Sequence, residues 1–268
     1  GNIRVTGNLN LKPGIAAAPG TSYLLDNLSA DPDVIISPSK IFSSTYESTA
    51  IIRLRRTSDN AELEFSGAEI AAGDDLTWIG SQTSFVKYVY DQSGNSKNVQ
   101  QTNTSLQSQY TDASGNRIVM GDGNTAPQQI YGMSFPALGF TGTSGAAVLR
   151  LHGSSAFNAL LRLGSSMIFG VSGNSSSPAG ALGTPVIKIN GTTLSPYTSG
   201  ALYSAITGTD VTVRITGLDW SANSDWNGTA GAWLSYRSNP VQISSVALYN
   251  AEPSSADLDL IVSAFEAT

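Results

Sequence analysis

The chain has 268 residues, a formal net charge of −6 and only 13% charged residues, and its basic residues gather only at Arg53, Arg55 and Arg56. An acidic chain without a basic patch is a poor partner for a phosphate backbone, so nucleic acid is not an expected partner. Cysteine is absent, which removes disulfides, thiolate metal sites and a cysteine nucleophile; no run of about 18 apolar residues occurs, so membrane insertion is not expected either.

A chain of this length buries a sizeable core as one main domain. Residues 1–35 read as a separate N-terminal arm or linker. GNIRVTG lacks the basic-then-apolar pattern of a signal peptide. RVTGNLNLK alternates like a short strand, and Pro13, Pro19 and Pro32 then fall where a central strand could not continue.

From Ile36 to residue 268, period-two runs recur between Gly, Asn and Asp punctuation, which predicts half-buried antiparallel strands. Ile52 and Leu54 alternate with Arg53 and Arg55; Val86, Tyr88 and Tyr90 alternate with Phe85, Lys87 and Val89. Further on, Val211, Val213 and Ile215 alternate with Thr212, Arg214 and Thr216, and VQISSVALYN reads as one strand through Val241, Ile243, Ala247 and Tyr249. The phrase D-x-S-G-N occurs at Asp91–Asn95 and again at Asp112–Asn116: Asp caps its own turn and Gly supplies a positive φ. Asn190-Gly191 is a hairpin signal. One helix is predicted, opened near the C-terminus by Ser254 as N-cap with Asp257 three residues on, and carrying Leu258, Ile261, Val262 and Phe265 on one face.

The segment SPSKIFSSTYESTAIIRLRRTSDNAELEF, followed after a Gly/Asp-rich break by SFVKYVYDQSGNSKNVQQ, resembles the concanavalin-like β-sandwich that forms the catalytic domain of the fungal α-L-arabinofuranosidase B family and recurs in bacteriophage tail and virion proteins. The strand ending V-x-L-Y-N and the capped helix after it are similar to the closing segment of laminin-G-like and concanavalin-like domains. The resemblance implies an all-β fold: a two-sheet antiparallel jelly-roll sandwich with a short C-terminal helix.

The enzymes of that family pair a Glu with an Asp in the later half of the sandwich. Here no glutamate lies between Glu69 and Glu252, although glycoside hydrolysis needs two carboxyl groups flanking the bond. Asp210, Asp219 and Asp225 are the acids left in that span. His152 is the only histidine and lacks a G-x-S-x-G elbow, so it reads as a strand-end residue. The expectation is a protein that is not an enzyme, with an arabinofuranosidase-like glycoside hydrolase as the alternative.

The first choice is a structural bacteriophage virion protein, a tail fibre, spike or head fibre, whose lectin-like domain meets a host surface glycan; a scaffold without ligand is a third reading. Its partners would be other virion subunits and further copies of itself, since the phage fibres it resembles are often homotrimers. For carbohydrate binding, LDWSANSDWNGTAGAW supplies rings beside hydrogen-bonding groups, with Trp226, Asp225, Asn227 and Trp220 as the candidates. Trp226 sits in turn chemistry, whereas Trp220 and Trp233 adjoin apolar strand residues and favour a core. No cofactor is expected. Calcium is the one open alternative, through Asp74 with Asp75 or through the two D-x-S-G-N turns.

Overall fold

A computed structural model of the chain describes residues 22–111, 114–115, 133–152, 158–163, 166–171, 183–222, 232–234 and 242–267. Alternating sequence becomes two antiparallel sheets. The first has six strands in the order β1 (Val34–Ile36), β15 (Gln242–Tyr249), β8 (Gly145–His152), β13 (Asp210–Leu218), β11 (Val186–Ile189) and β12 (Thr192–Thr193). The second has nine: β10 (Ser166–Val171), β9 (Asn158–Leu163), β14 (Ala232–Leu234), β7 (Met133–Ser134), β5 (Val99–Gln100), β4 (Ser84–Val89), β2 (Ala50–Arg56) and β3 (Glu62–Ser66) in order, with β6 (Ser108–Gln109) also pairing β4. The fold is therefore the expected all-β sandwich.

Between the sheets lies the main core, where Val34, Leu149, Val213 and Val246 of the six-stranded sheet join Ile52, Leu54, Val89, Val99 and Met133 of the nine-stranded one. The outer face of the six-stranded sheet is also apolar at Ile35, Ala146, Val148, Ala247 and Tyr249. Helix α4 (Ser255–Glu266) covers it with Leu258, Ile261 and Phe265. Burying three such side chains contributes about 5 kcal/mol or more. The helix begins as its sequence predicts: Ser254 Oγ accepts Asp257 N at 3.1 Å, and Lys40 Nζ donates to the carbonyls of Ala264 and Phe265 at the other end. Among the described residues no helix is long and apolar enough to cross a membrane.

The expected boundary after residue 35 falls inside β1, which pairs with β15 through Val34↔Leu248 and Ile36↔Val246. Ile35 alone among these three faces α4, and Leu24, Leu25 and Leu28 pack on the same cluster. Residues 22–36 thus belong to the sandwich. Residues 1–21 lie outside the described residues.

Three short helices join the expected one: α1 (Gly67–Ala72), α2 (Asp74–Ile79) and α3 (Ser199–Ile206). The first is opened by a capping box in which Ser66 N donates to Glu69 Oε2 at 2.7 Å and Glu69 N to Ser66 Oγ at 3.3 Å. Register shifts break strict alternation in several strand pairs, and those in β4 and β15 matter most here. Arg53 pairs with Tyr88 but Leu54 with Val86, so Lys87 is an extra residue, a β-bulge. Val86 and Val89 consequently both face the core. In β15 a register shift between Ile243 and Ser245 turns Ile243, Val246 and Leu248 to the main core and Ala247 and Tyr249 to α4. The hairpin at Asn190 and Gly191 forms as predicted, with φ of 47° and 80° as a type I′ turn requires.

Candidate functional site

The bulge at Lys87 assembles the candidate site. Because it resets the phase of β4, Phe85, Tyr88 and Tyr90 share the outer face of the nine-stranded sheet with Arg53, Arg55 and Glu64, opposite the core valines. The Tyr88 and Tyr90 rings lie 16° from parallel with centroids 6.1 Å apart. Arg53 Cζ stands 4.8 Å from the Tyr88 centroid, and its Nε donates to Glu64 Oε1 at 3.0 Å. Tyr90 Oη donates to the same oxygen at 2.5 Å. One carboxylate thus fixes a guanidinium and a phenol together.

Arg55 extends the arrangement. Its guanidinium lies 5.1 Å from the Phe85 centroid, with Nε donating to Gln107 Oε1 at 2.7 Å and Nη1 to Asn60 Oδ1 at 2.8 Å. Lys87 Nζ reaches Glu62 Oε1 at 2.6 Å beside it. Tyr88, Tyr90, Arg53 and Lys87 are half-buried and Glu62 and Glu64 exposed. The result is a ring surface rimmed by donors and acceptors, with each side chain locked by a neighbour.

The hydrogen bond from Tyr90 and the pairing with Arg53 lower the Glu64 carboxyl below its ordinary value. Burial and Glu64 push the Tyr90 phenol up to about 12. At neutral pH Glu64 stays ionised and Tyr90 stays protonated, whereas a glycosidase acid needs a raised carboxyl.

The sequence-predicted site residues fall differently. Trp220 is 0% exposed; its indole donates to Tyr249 O at 2.8 Å and meets Phe140 at 5.2 Å between centroids. A Cβ at Gly145 would come within 1.8 Å of Trp220 Nε1, so the ring lies flush on that glycine. Trp220 is thus a core residue and is corrected as a sugar contact. Asp225, Trp226 and Asn227 lie outside the described residues.

Among the acids, Asp219 Oδ1 caps a short turn by accepting Ser221 N at 3.0 Å and Ala222 N at 3.2 Å. Asp210 Oδ1 contacts His152 Nδ1 at 2.6 Å, at the end of β8. Beside that pair, Arg150, Asn190, Asp210 and Glu266 line a shallow depression of about 440 Å³. Glu252 accepts Gly217 N at 2.9 Å.

The Asp91 turn is structural, as its chemistry predicts. Asp91 is 2% exposed. Its Oδ1 accepts Ile35 N and Ser93 N, and its Oδ2 accepts Ser93 Oγ and Lys97 N, all within 3.0 Å. Gly94 takes φ +88°. Of the other calcium candidates, Asp75 is buried and accepts Tyr110 Oη at 2.8 Å, while Asp112 and Asn116 lie outside the described residues. Among the described residues no group of three or more His, Asp or Glu could hold a metal ion.

Reading alternation alone would have put Val86, Tyr88 and Tyr90 on one face, so the aromatic surface was hidden by the bulge. The signal that could have exposed it is chemical: valine at 86 and 89 competes for the core better than tyrosine at 88 and 90.

No protein-family model matches the chain, and no curated protein matches it. Solved structures similar to it include a GH54 α-L-arabinofuranosidase soaked with a cyclic sulfate inhibitor, at 15% identity and TM-score 0.42, over 88% of this chain and 62% of that one. A mutant GH54 α-L-arabinofuranosidase soaked with 4-nitrophenyl α-L-arabinofuranoside is similar at 13% identity and TM-score 0.36, over 88% and 62%. An arabinofuranosidase complexed with arabinofuranosyl-α-1,2-xylobiose is similar at 14% identity and TM-score 0.36, over 87% and 62%. The chain thus spans 62% of the length of each. At such identities and TM-scores they carry no residue roles and no activity to this chain.

Proposed function

We propose that this chain is a non-enzymatic, lectin-like sandwich that binds carbohydrate on the outer face of its nine-stranded sheet, as a fibre or spike component of a phage particle. The observation that carries the binding reading is the near-parallel Tyr88 and Tyr90 pair, half-buried and rimmed by Arg53 and Glu64. The half-buried rings and the Arg53 guanidinium held over Tyr88 offer apolar edges beside oriented donors and acceptors, which lowers the ordering cost of binding. The lowered Glu64 carboxyl supports a holding role rather than an acid's. The particle setting rests on the sequence: no cysteine, few charges and abundant Ser, Thr, Asn and Gly.

The test is a glycan array run beside hydrolysis of 4-nitrophenyl α-L-arabinofuranoside and related aryl glycosides. Retention of at least one glycan class without release of nitrophenol is the expected result. Turnover that disappears in Asp219→Asn or Asp225→Asn would replace this reading with the glycosidase one.

A further inference from the structure

The outer face of β8 changes character along the strand. Ala146 and Val148 are apolar and lie beneath α4, whereas Arg150, the next residue on that face, stands beside Val262 and Glu266 of the same helix. Arg150 and His152 pair across the sheet with Thr212 and Asp210 of β13. With the Asn190-Gly191 turn, these elements line the depression of about 440 Å³, a volume in the range of small-ligand sites.

Two arginines on this face are served differently. Arg214 Nη1 donates to Asp259 Oδ1 at 2.6 Å. Arg150 is half-buried, forms no ion pair with a carboxylate among the described residues, and makes one long side-chain hydrogen bond, from Nη1 to Thr212 Oγ1 at 3.4 Å. Its charge reaches Lys40, whose amine is lowered to about 8 by burial and then by Arg150. A half-buried guanidinium that repels a neighbouring ammonium is short of the partner its planar fork fits, a carboxylate.

The rest of the depression is set for hydroxyls. Asn190 Oδ1 accepts Thr212 N at 2.8 Å, which leaves Nδ2 as a donor. His152 Nδ1 holds Asp210 Oδ1 at 2.6 Å, which leaves Oδ2 as an acceptor. Glu266 is exposed, so water and salt screen its charge while its oxygens stay open to hydroxyl donors. Val262 supplies an apolar wall.

We propose that this depression binds an acidic monosaccharide, a uronic or sialic acid residue, with its carboxylate on Arg150. The hydroxyls meet Asn190 Nδ2, Asp210 Oδ2 and Glu266, and Val262 packs against the ring. The site lies on the other sheet from the tyrosine face and does not depend on it.

His152 is the only histidine and touches Asp210, so its ring resonances report on this site alone. The full chain carrying isotope-labelled histidine is titrated at constant pH and ionic strength with sodium glucuronate and sodium N-acetylneuraminate, each beside its methyl ester, and with sodium acetate. The His152 signals should move saturably with a Kd of about 10 mM or tighter for one of the acids, and at least about tenfold more weakly for its ester and for acetate. Arg150→Gln should remove the preference for the acid, and Arg150→Lys should restore part of it. Equal affinity for acid and ester, or for acid and acetate, would overturn the acidic-sugar site, as would signals that stay fixed at about 50 mM of either acid. The ester comparison needs no variant, so it decides the question even where Arg150→Gln does not fold. Glycan binding lost in Tyr88→Ala with His152 silent throughout would leave the tyrosine face standing and remove this site.

Discussion

Replacing Asp91 by Asn exchanges one oxygen for an amide nitrogen inside an enclosed turn, and the consequence can be worked bond by bond. With the remaining oxygen in the Oδ1 position, Ile35 N and Ser93 N keep an acceptor. The new Nδ2 then faces Ser93 Oγ, which can turn to accept, and Lys97 N, which cannot. One orphaned donor costs about 1–3 kcal/mol, and the two retained bonds each lose about 1 kcal/mol when their acceptor is no longer charged. The flipped amide is worse, because it sets two donors against Ile35 N and Ser93 N. A loss of about 3–5 kcal/mol is expected, a large part of the 5–15 kcal/mol typical of a folded domain. Urea unfolding at pH 7, followed by tryptophan fluorescence and compared at constant m-value, measures it. A loss below about 1 kcal/mol would refute the argument that this carboxylate ties β1 to the turn after β4.

Other expectations concern the core, the acid side of the stability curve and the arm. Gly145→Ala should destabilise by about 3 kcal/mol or more, because its Cβ overlaps the Trp220 indole and displaces the bond to Tyr249 O; calorimetric melting reads the change. The bonds from Ser29 and Ser254 hold the Asp257 carboxyl below its ordinary value. Its stabilisation is present above about pH 4 and is lost as pH falls through the lowered value. Asp257→Asn should therefore lower stability at pH 7 and flatten the slope below about pH 4 in acid titrations followed by circular dichroism. A chain starting at Ser22 should give fewer chains per particle than the parent in light scattering, and an unchanged number would contradict the arm as an assembly element. A chain starting at Ser37 should not fold, since it lacks β1.

Much of the fold was legible because period-two alternation and turn chemistry are local. Val211, Val213 and Ile215 face the core as read, Asn190-Gly191 makes its hairpin, and Ser254 caps its helix. Bulges were not legible, because an extra residue at Lys87 or Ser244 appears only when one strand is counted against another. The helix at Gly67–Ala72 was readable from Ser66 and Glu69, a capping box obscured by the glycines and aspartates after it. Trp220 illustrates the limit for sites: a tryptophan beside Asp and Asn suits a sugar loop as well as a core, and only Gly145, far away in sequence, leaves room beneath it. The face around Arg53, Glu64, Tyr88 and Tyr90 joins three strands and has no signature in any one segment.

The central claim is that the tyrosine face binds glycan, and the direct measurement is calorimetric titration of the retained oligosaccharide into the parent protein, Tyr88→Ala and Arg53→Ala, with melting temperatures recorded on the same samples; Trp226→Ala serves as a companion probing the second candidate. Losing an aromatic anchor should cost about 2 kcal/mol of binding, roughly a thirtyfold weaker affinity, while truncating a half-exposed ring should change stability by about 1 kcal/mol or less. Weakened binding by Tyr88→Ala and Arg53→Ala at near-parent melting temperature is the predicted result. Parent-like affinity in both variants would contradict the account and take recognition away from this face.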